Sequence, residues 1–438
     1  MTRYTIALLL TTGLVCGLAA VAFAVNTSND PWNQQDSDMS DLDLLELLRL
    51  HGVINEEQYQ DLIKIYGKRT YYHLRPTGSL LVGYTPYNQM KADETIEYPG
   101  SPADDRNFRL RKLSLGMAGS AYYDWLSFKA TGEVSANDEG KYTFGPEEAY
   151  VRFRYLPEQL RGSLFEPAQG MTVGAMKIPF SRQNLVSTPQ LQFINRAVAI
   201  EEMPIHYDLG ATVDLDYNLF FDWARLLLNA GAFNGRGDRV YAADNNDNLL
   251  YAGRLRIDLF SPLRPGEGDL RPRFYPNETV AKTPEFDRPA LSLGGSLLQN
   301  NDVDKVVKAW GADAEFRWYG VSISAEAIAT KYELALDDAE TANQYAEDWS
   351  TFGWYVQGGA FVWPRILEVT ARYDEYTLDL VDETLPERKL AATTFGLNAH
   401  LASKHALKLM ANYIWRAELK GLPEMDNDTF TVQAGFAF

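Results

Sequence analysis

The chain has one cysteine, Cys16, in 438 residues. That excludes an intrachain disulfide and any Cys-rich metal site. Its five histidines, His51, His73, His206, His400 and His405, are scattered and never fall at metal-ligand spacing. Positive charge is scarce too: 41 Lys and Arg stand against 59 Asp and Glu, a formal net charge of −18. A nucleic-acid partner would need a basic face, so that class is excluded. No Gly-rich phosphate loop, haem-attachment motif or positionally supported Ser–His–Asp grouping is found, which argues against an enzyme and implies no cofactor or metal. After residue 24 no run of 18 apolar residues occurs, so no membrane-spanning helix is expected.

What is present is aromatic and strongly patterned, with 25 Tyr, 21 Phe and 9 Trp. Residues 1–24 open with Arg3, continue through an apolar run and end in Ala22-Phe23-Ala24. This is the form of a secretory signal peptide with a small-x-small cleavage site. Residues 25–69 read as a polar linker followed by two short helices. Ser40 caps the first, which stops at Gly52, and the second runs from Asn55 to Gly67 with acids in its first turn.

From residue 70 to 438 the period is two. Tyr251, Gly253, Leu255, Ile257 and Leu259 alternate with Ala252, Arg254, Arg256 and Asp258; Leu367, Val369, Ala371 and Tyr373 alternate with Glu368, Thr370, Arg372 and Asp374. Each strand therefore has one apolar and one polar face. Sixteen such segments are expected, near 76–87, 107–120, 123–135, 147–157, 170–178, 206–217, 224–234, 249–260, 290–297, 306–317, 319–331, 350–362, 366–377, 390–401, 405–416 and 429–438. Tight connections such as 318–320 and 363–365 largely alternate with long polar ones such as 88–106 and 332–349. Aromatics gather at strand ends (Trp318, Trp363, Trp415), and the last segment alternates Phe430, Val432, Ala434, Phe436 and Phe438. The expected fold is all-β, a 16-stranded antiparallel transmembrane β-barrel with a short N-terminal helical preface, in the outer membrane of a Gram-negative bacterium with both termini periplasmic. Its surroundings would be lipid bilayer and lipopolysaccharide. One stretch breaks the loop rule: the Pro-rich residues 261–289 fall on the short-turn side, through either a miscounted strand or a true insertion.

Several stretches resemble the phosphate-selective porin O/P family. They are Phe108-Arg109-Leu110-Arg111-Lys112-Leu113-Ser114-Leu115-Gly116, Glu148-Ala149-Tyr150-Val151-Arg152-Phe153, Gly174-Ala175-Met176-Lys177-Ile178-Pro179-Phe180-Ser181-Arg182, Phe193-Ile194-Asn195-Arg196, and Gly231-Ala232-Phe233-Asn234-Gly235. The resemblance implies an outer-membrane porin, commonly a homotrimer. It would pass small ions and hydrophilic solutes, anions such as phosphate among them, and carry an inward-folded loop that narrows the pore. That loop would be residues 179–207, with Arg182, Arg196, Glu201 and Glu202 as its charges.

By alternation the lumen-facing bases include Lys112, Lys129, Arg152, Arg154, Arg254, Arg256, Arg317, Arg372 and Lys408. The acids include Glu133, Asp208, Asp214, Asp216, Asp258, Asp313, Glu315, Glu326, Glu368 and Asp374. Lys177 can face either way, since Met176 and Ile178 compete for the apolar side. Arg152 with Arg154, and Arg254 with Arg256, could form an anion track or pair with Asp214, Asp216 and Asp258 across the wall. Arg182 and Arg196 could face the solute or brace the loop. Acidic outer segments such as 244–247 and 337–340 would favour cations at the mouth. The other class consistent with the sequence is a sheath barrel docking a periplasmic or surface partner through the preface helices and the 261–289 segment.

Overall fold

The computed structural model describes residues 73–88, 108–121, 126–136, 142–153, 168–203, 205–219, 224–237, 248–260, 289–302, 305–318, 320–334, 348–363, 366–380, 388–402, 407–420 and 428–438. The site described below lies within a unit made of residues 76–117 and 128–438. The signal segment, the preface helices, the 261–288 stretch, the acidic segments 244–247 and 337–340, and Arg154 all lie outside the described residues, as does the side chain of Asp216.

Sixteen strands are observed: β1 (His73–Asn88), β2 (Phe108–Ala121), β3 (Leu126–Ala136), β4 (Tyr142–Phe153), β5 (Ala168–Lys177), β6 (Tyr207–Leu219), β7 (Ala224–Phe233), β8 (Leu250–Leu259), β9 (Ala290–Asn301), β10 (Lys305–Trp318), β11 (Val321–Leu334), β12 (Trp349–Trp363), β13 (Leu367–Leu380), β14 (Arg388–His400), β15 (Leu407–Lys420) and β16 (Thr429–Ala437). Sequence neighbours pair round a closed barrel, and β1 closes on β16. Every segment expected from the period-two pattern is a strand. The ends differ most at β4, which begins earlier than the expected 147, and at β9, which runs on to Asn301. At the seam Gly78 and Phe438 exchange both backbone hydrogen bonds at 3.0 Å. Closure leaves no strand edge, the condition for a sheet to cross lipid.

Burial decides between a soluble and a membrane barrel. Leu255, Leu293, Leu297, Trp310, Trp318, Ile323, Phe352, Val356, Phe395, Leu397, Trp415 and Phe436 are exposed on the outer face. On the inner face Arg254, Arg256, Asp258, Asp313, Glu315, Arg317, Glu326, Arg372 and Asp374 are buried. A soluble barrel has the opposite polarity. An apolar outer belt of this extent is a lipid-facing surface. Each large outer side chain gains about 1.5–3 kcal/mol by leaving water.

β8 and β9 pair directly, from Tyr251↔Gln299 to Leu259↔Leu291. No strand has been miscounted: β8 ends and β9 begins at the barrel end that also carries the tight β10–β11 turn.

Candidate functional site

The connection from β5 to β6 builds its own framework. Phe180, Ile178, Ala197 and Ile200 are fully buried and join Met203 and Ile205 in an apolar cluster with the inward-facing Phe233, Leu250, Leu298, Val307, Ile328, Tyr332 and Tyr355 of the wall. Here the polar-inside rule fails, because these lumenal positions face the connection rather than water. Ser181 sits in the left-handed region at φ 61°, a strain of about 1–3 kcal/mol. Its hydroxyl accepts from the Asn184 N–H at 3.2 Å and so caps α1 (Arg182–Leu185). A single 3-10 turn (Thr188–Gln190) and α2 (Val198–Glu201) follow.

Wall side chains then hold this segment at its unsatisfied backbone groups. Glu326 accepts from the Arg182 N–H at 2.8 Å and the Gln183 N–H at 3.1 Å, and the Tyr355 hydroxyl donates to the same carboxylate at 3.1 Å. Asp374 accepts from the Val198 N–H at 3.2 Å, and Asn412 from the Ile194 N–H at 2.7 Å. In the other direction Arg372 donates to the Asn195 carbonyl at 2.8 Å, Asn398 to the Gln192 carbonyl at 2.8 Å, and Lys408 to the Leu191 carbonyl. Gln192 donates to Glu368 at 2.6 Å, and His400 contacts that carboxylate at 3.1 Å. Arg111 of β2 reaches Asn195. The wall provides room as well as bonds. A Cβ on Gly353 would lie 2.3 Å from the Ala199 Cβ, and one on Gly359 would lie 2.2 Å from Gln192 Nε2.

Within the segment the candidate charges brace rather than project. Arg182 pairs with Glu315 of β10. Burial pulls its guanidinium down to about 10 against the raising fields of Asp313, Tyr355 and Glu326, so it is still a cation at neutral pH. Arg196 donates to the Val186 carbonyl at 2.8 Å and the Gln183 carbonyl at 3.3 Å. Burial lowers its pKa too, opposed first by Tyr207 and Glu201. Glu201 accepts from the Arg196 N–H at 3.2 Å; burial pushes this carboxyl up, against the fields of Arg372, Arg111 and Arg196. Glu202 is pushed up by burial alone. Lys177 donates to the carbonyls of Asn184 at 2.6 Å and Val186 at 2.9 Å, with its ammonium 5.5 Å from the centre of the Tyr207 ring.

The wall from β2 to β8 carries different pairs. Lys112 bridges Glu147 and, at 3.4 Å, Glu133; Lys129 pairs with Glu148. Arg152 meets Asp214 at 3.1 Å, and Asn229 donates to Asp214 at 2.6 Å. Arg256 meets Asp258 at 3.0 Å on its own strand. Arg254 meets Asp313, two strands away on β10, at 2.6 Å. The pair crosses β9 at Gly294, where a Cβ would lie 2.5 Å from both partners. Spacing did not disclose Asp313 as the partner of Arg254. Nor did alternation find Glu147 and Glu148, adjacent residues that are both buried. The available signal was Pro146, which cannot donate to the ladder.

Between this wall and α1 lies a cavity of about 110 Å³, lined by Glu148, Tyr150, Arg152, Thr172, Met176, Lys177, Leu185, Thr212, Asp214, Leu227, Leu228, Asn229, Arg254 and Arg256. Among the described residues no group of three His, Cys, Asp or Glu is placed to hold a metal ion.

A family model described as "Phosphate-selective porin O and P" matches residues 88–438. The chain belongs to that family. No curated protein matches this porin by sequence. Among solved structures its fold is similar to OmpT of Vibrio cholerae. The in-vitro folded trimer form superposes with a TM-score of 0.52 at 10% identity, over 84% of this chain and 99% of that one. Outer-membrane expressed OmpT gives 0.52 at 9% identity, over 85% and 99%. An anion-selective porin from Comamonas acidovorans aligns at 0.49 with 12% identity, over 84% and 100%. The protein is thus an outer-membrane porin of a Gram-negative bacterium, a channel for passive diffusion of small ions and hydrophilic solutes and not an enzyme.

Proposed function

We propose that this porin prefers anions, and that its conduction path runs between the β4–β8 wall and the inner segment 179–207, which acts as the constriction. One observation carries the reading. The cavity lining includes Arg152, Arg254 and Arg256, with Lys177 held on two carbonyls of the inner segment, against two acids, Glu148 and Asp214. Asp258 and Asp313, the partners of Arg256 and Arg254, are not part of that lining. The lining therefore holds more basic than acidic residues, so a chain of net charge −18 presents a cationic surface at its narrow part. Lys112, Lys129 and Arg372, with Asp214 and Asp258, set the transverse field around it.

A sheath barrel would need an open bore. Here residues 178–206 are bonded to β11, β13 and β15, which supports a pore. The remaining organisation follows the family. Residues 1–24 are a signal peptide, residues 25–69 a periplasmic linker with two helices, and both termini are periplasmic. The assembly is a homotrimer, as the trimer form of OmpT suggests, seated among lipopolysaccharide. The test is the reversal potential of the purified protein in a planar bilayer under a KCl gradient. Chloride preference is the expected result; cation preference would assign control to the acidic outer segments.

A further inference from the structure

The lining of the cavity is not what inorganic phosphate would select. A small, fully hydrated oxyanion is held by cations and hydrogen-bond donors on every side, because each of its oxygens takes donors and none gains from carbon. Here the cations share the space with carbon. Tyr150, Met176, Leu185 and Leu227 line the cavity together with Arg152, Lys177, Arg254 and Arg256. Leu227 is the Cα partner of Arg256 across the β7–β8 ladder, and Asn229 is the partner of Arg254. Arg254 and Arg256 are two residues apart on one strand and face the same side, so their stems are about 7 Å apart. A carboxylate at that spacing would share the two guanidinium groups with Asp313 and Asp258, which already pair with them. An apolar body attached to it would then rest on Leu227 and reach Leu185 of α1, which faces the cavity from the other side.

We infer that the preferred solute of this site is a small organic anion, a carboxylate carrying an apolar or aromatic body, rather than inorganic phosphate. The inference rests on the anion reading above and names its solute class. The leucines give it content. In a site built only to pass hydrated ions, Leu227 and Leu185 would add friction without attraction. In a site for an amphipathic anion they supply the part of the attraction that chloride and phosphate cannot use. Asp214, held by Arg152 and Asn229, keeps the site from being a simple cationic trap, so a bound anion can leave.

The experiment measures block of the KCl current through the purified porin in planar bilayers by benzoate, acetate and inorganic phosphate. Benzoate is expected to halve the current at a concentration at least tenfold below those needed for acetate or phosphate. In Leu227→Thr, and separately in Leu185→Ser, benzoate should lose most of that advantage while acetate changes little. Leu185 lies on the inner segment and not in the wall, so its variant keeps the test open if Leu227→Thr fails to assemble. Equal block by benzoate and acetate, or stronger block by phosphate, would overturn the inference and leave the anion reading standing. A cation-selective pore blocked by none of the three would overturn both.

Discussion

Two sides of one lumen wall carry similar charges and put them to opposite uses. On β10–β15 the bases and acids are spent on the chain itself. Arg372 and Lys408 hold carbonyls of the inner segment, Glu326 and Asp374 hold its N–H groups, and Glu315 holds Arg182. On β4–β8 the same residue types pair with one another, and Arg152, Arg254 and Arg256 line the cavity. A census of lumenal charge, which nearly cancels, therefore says little about selectivity. What matters is whether a buried backbone group has already claimed each charge. Unmet buried donors cost about 1–3 kcal/mol each, which is why the covered side is so fully engaged.

The comparison breaks most severely at Glu326. Changing it to alanine strips acceptors from two backbone N–H groups and the Tyr355 hydroxyl, at about 3 kcal/mol or more. The expected outcome is a lower unfolding temperature and a larger, noisier single-channel current. Next come Arg254→Gln and Arg372→Gln, both of which break a buried pair and are each expected to cost about 3–5 kcal/mol. Their reversal potentials should separate them. Arg254→Gln moves the potential towards cation preference, whereas Arg372→Gln loosens the inner segment and moves it far less. Equal shifts would erase the distinction between the two sides. Gly353→Val is milder, because it overpacks against Ala199 and costs about 1–3 kcal/mol. It should push α2 away from β12 towards the open side and lower conductance with no change in charge.

The smallest effect is one of pH, at Glu202. Its folded pKa is raised by burial. The folded state therefore holds the proton more tightly than the unfolded one, and the stabilisation present below the ordinary carboxylate pKa is lost as pH rises through the folded value. Glu202→Gln should unfold at the wild-type temperature in acid and at a higher one at neutral pH. Identical melting curves at both pH values would remove Glu202 from the balance.

The wall was legible in the sequence because a half-buried strand writes its two faces alternately. That gave all sixteen strands. The pattern misled where the lumen is not wet: Leu298, Val307, Ile328 and Tyr332 face inward and are apolar because residues 178–205 cover them. It also could not pair the charges it found. Arg254 and Asp313 are 59 residues apart and meet only because Gly294, on the strand between, has no side chain. Period two reports which face a residue takes but not which neighbour it meets. Nor could it reveal that Arg182 and Arg196 brace the inner segment, since both partners of Arg196 are backbone carbonyls, which no side-chain pattern records.

The outer face sets a length as well as a polarity. On β10 the exposed indoles of Trp310 and Trp318 stand eight residues apart on the same side, with charged Lys308 just beyond the first. Eight residues span about 27 Å along a strand, which is about 21 Å across the membrane at a tilt of about 40°. Such a belt matches a thin hydrocarbon layer and would have to draw a thicker one inward around it. Bilayer thickness thus becomes a handle on this porin's stability that involves neither its charges nor its solute. Short-chain lipids should hold it best, and lipids with progressively longer chains should lower its insertion yield step by step.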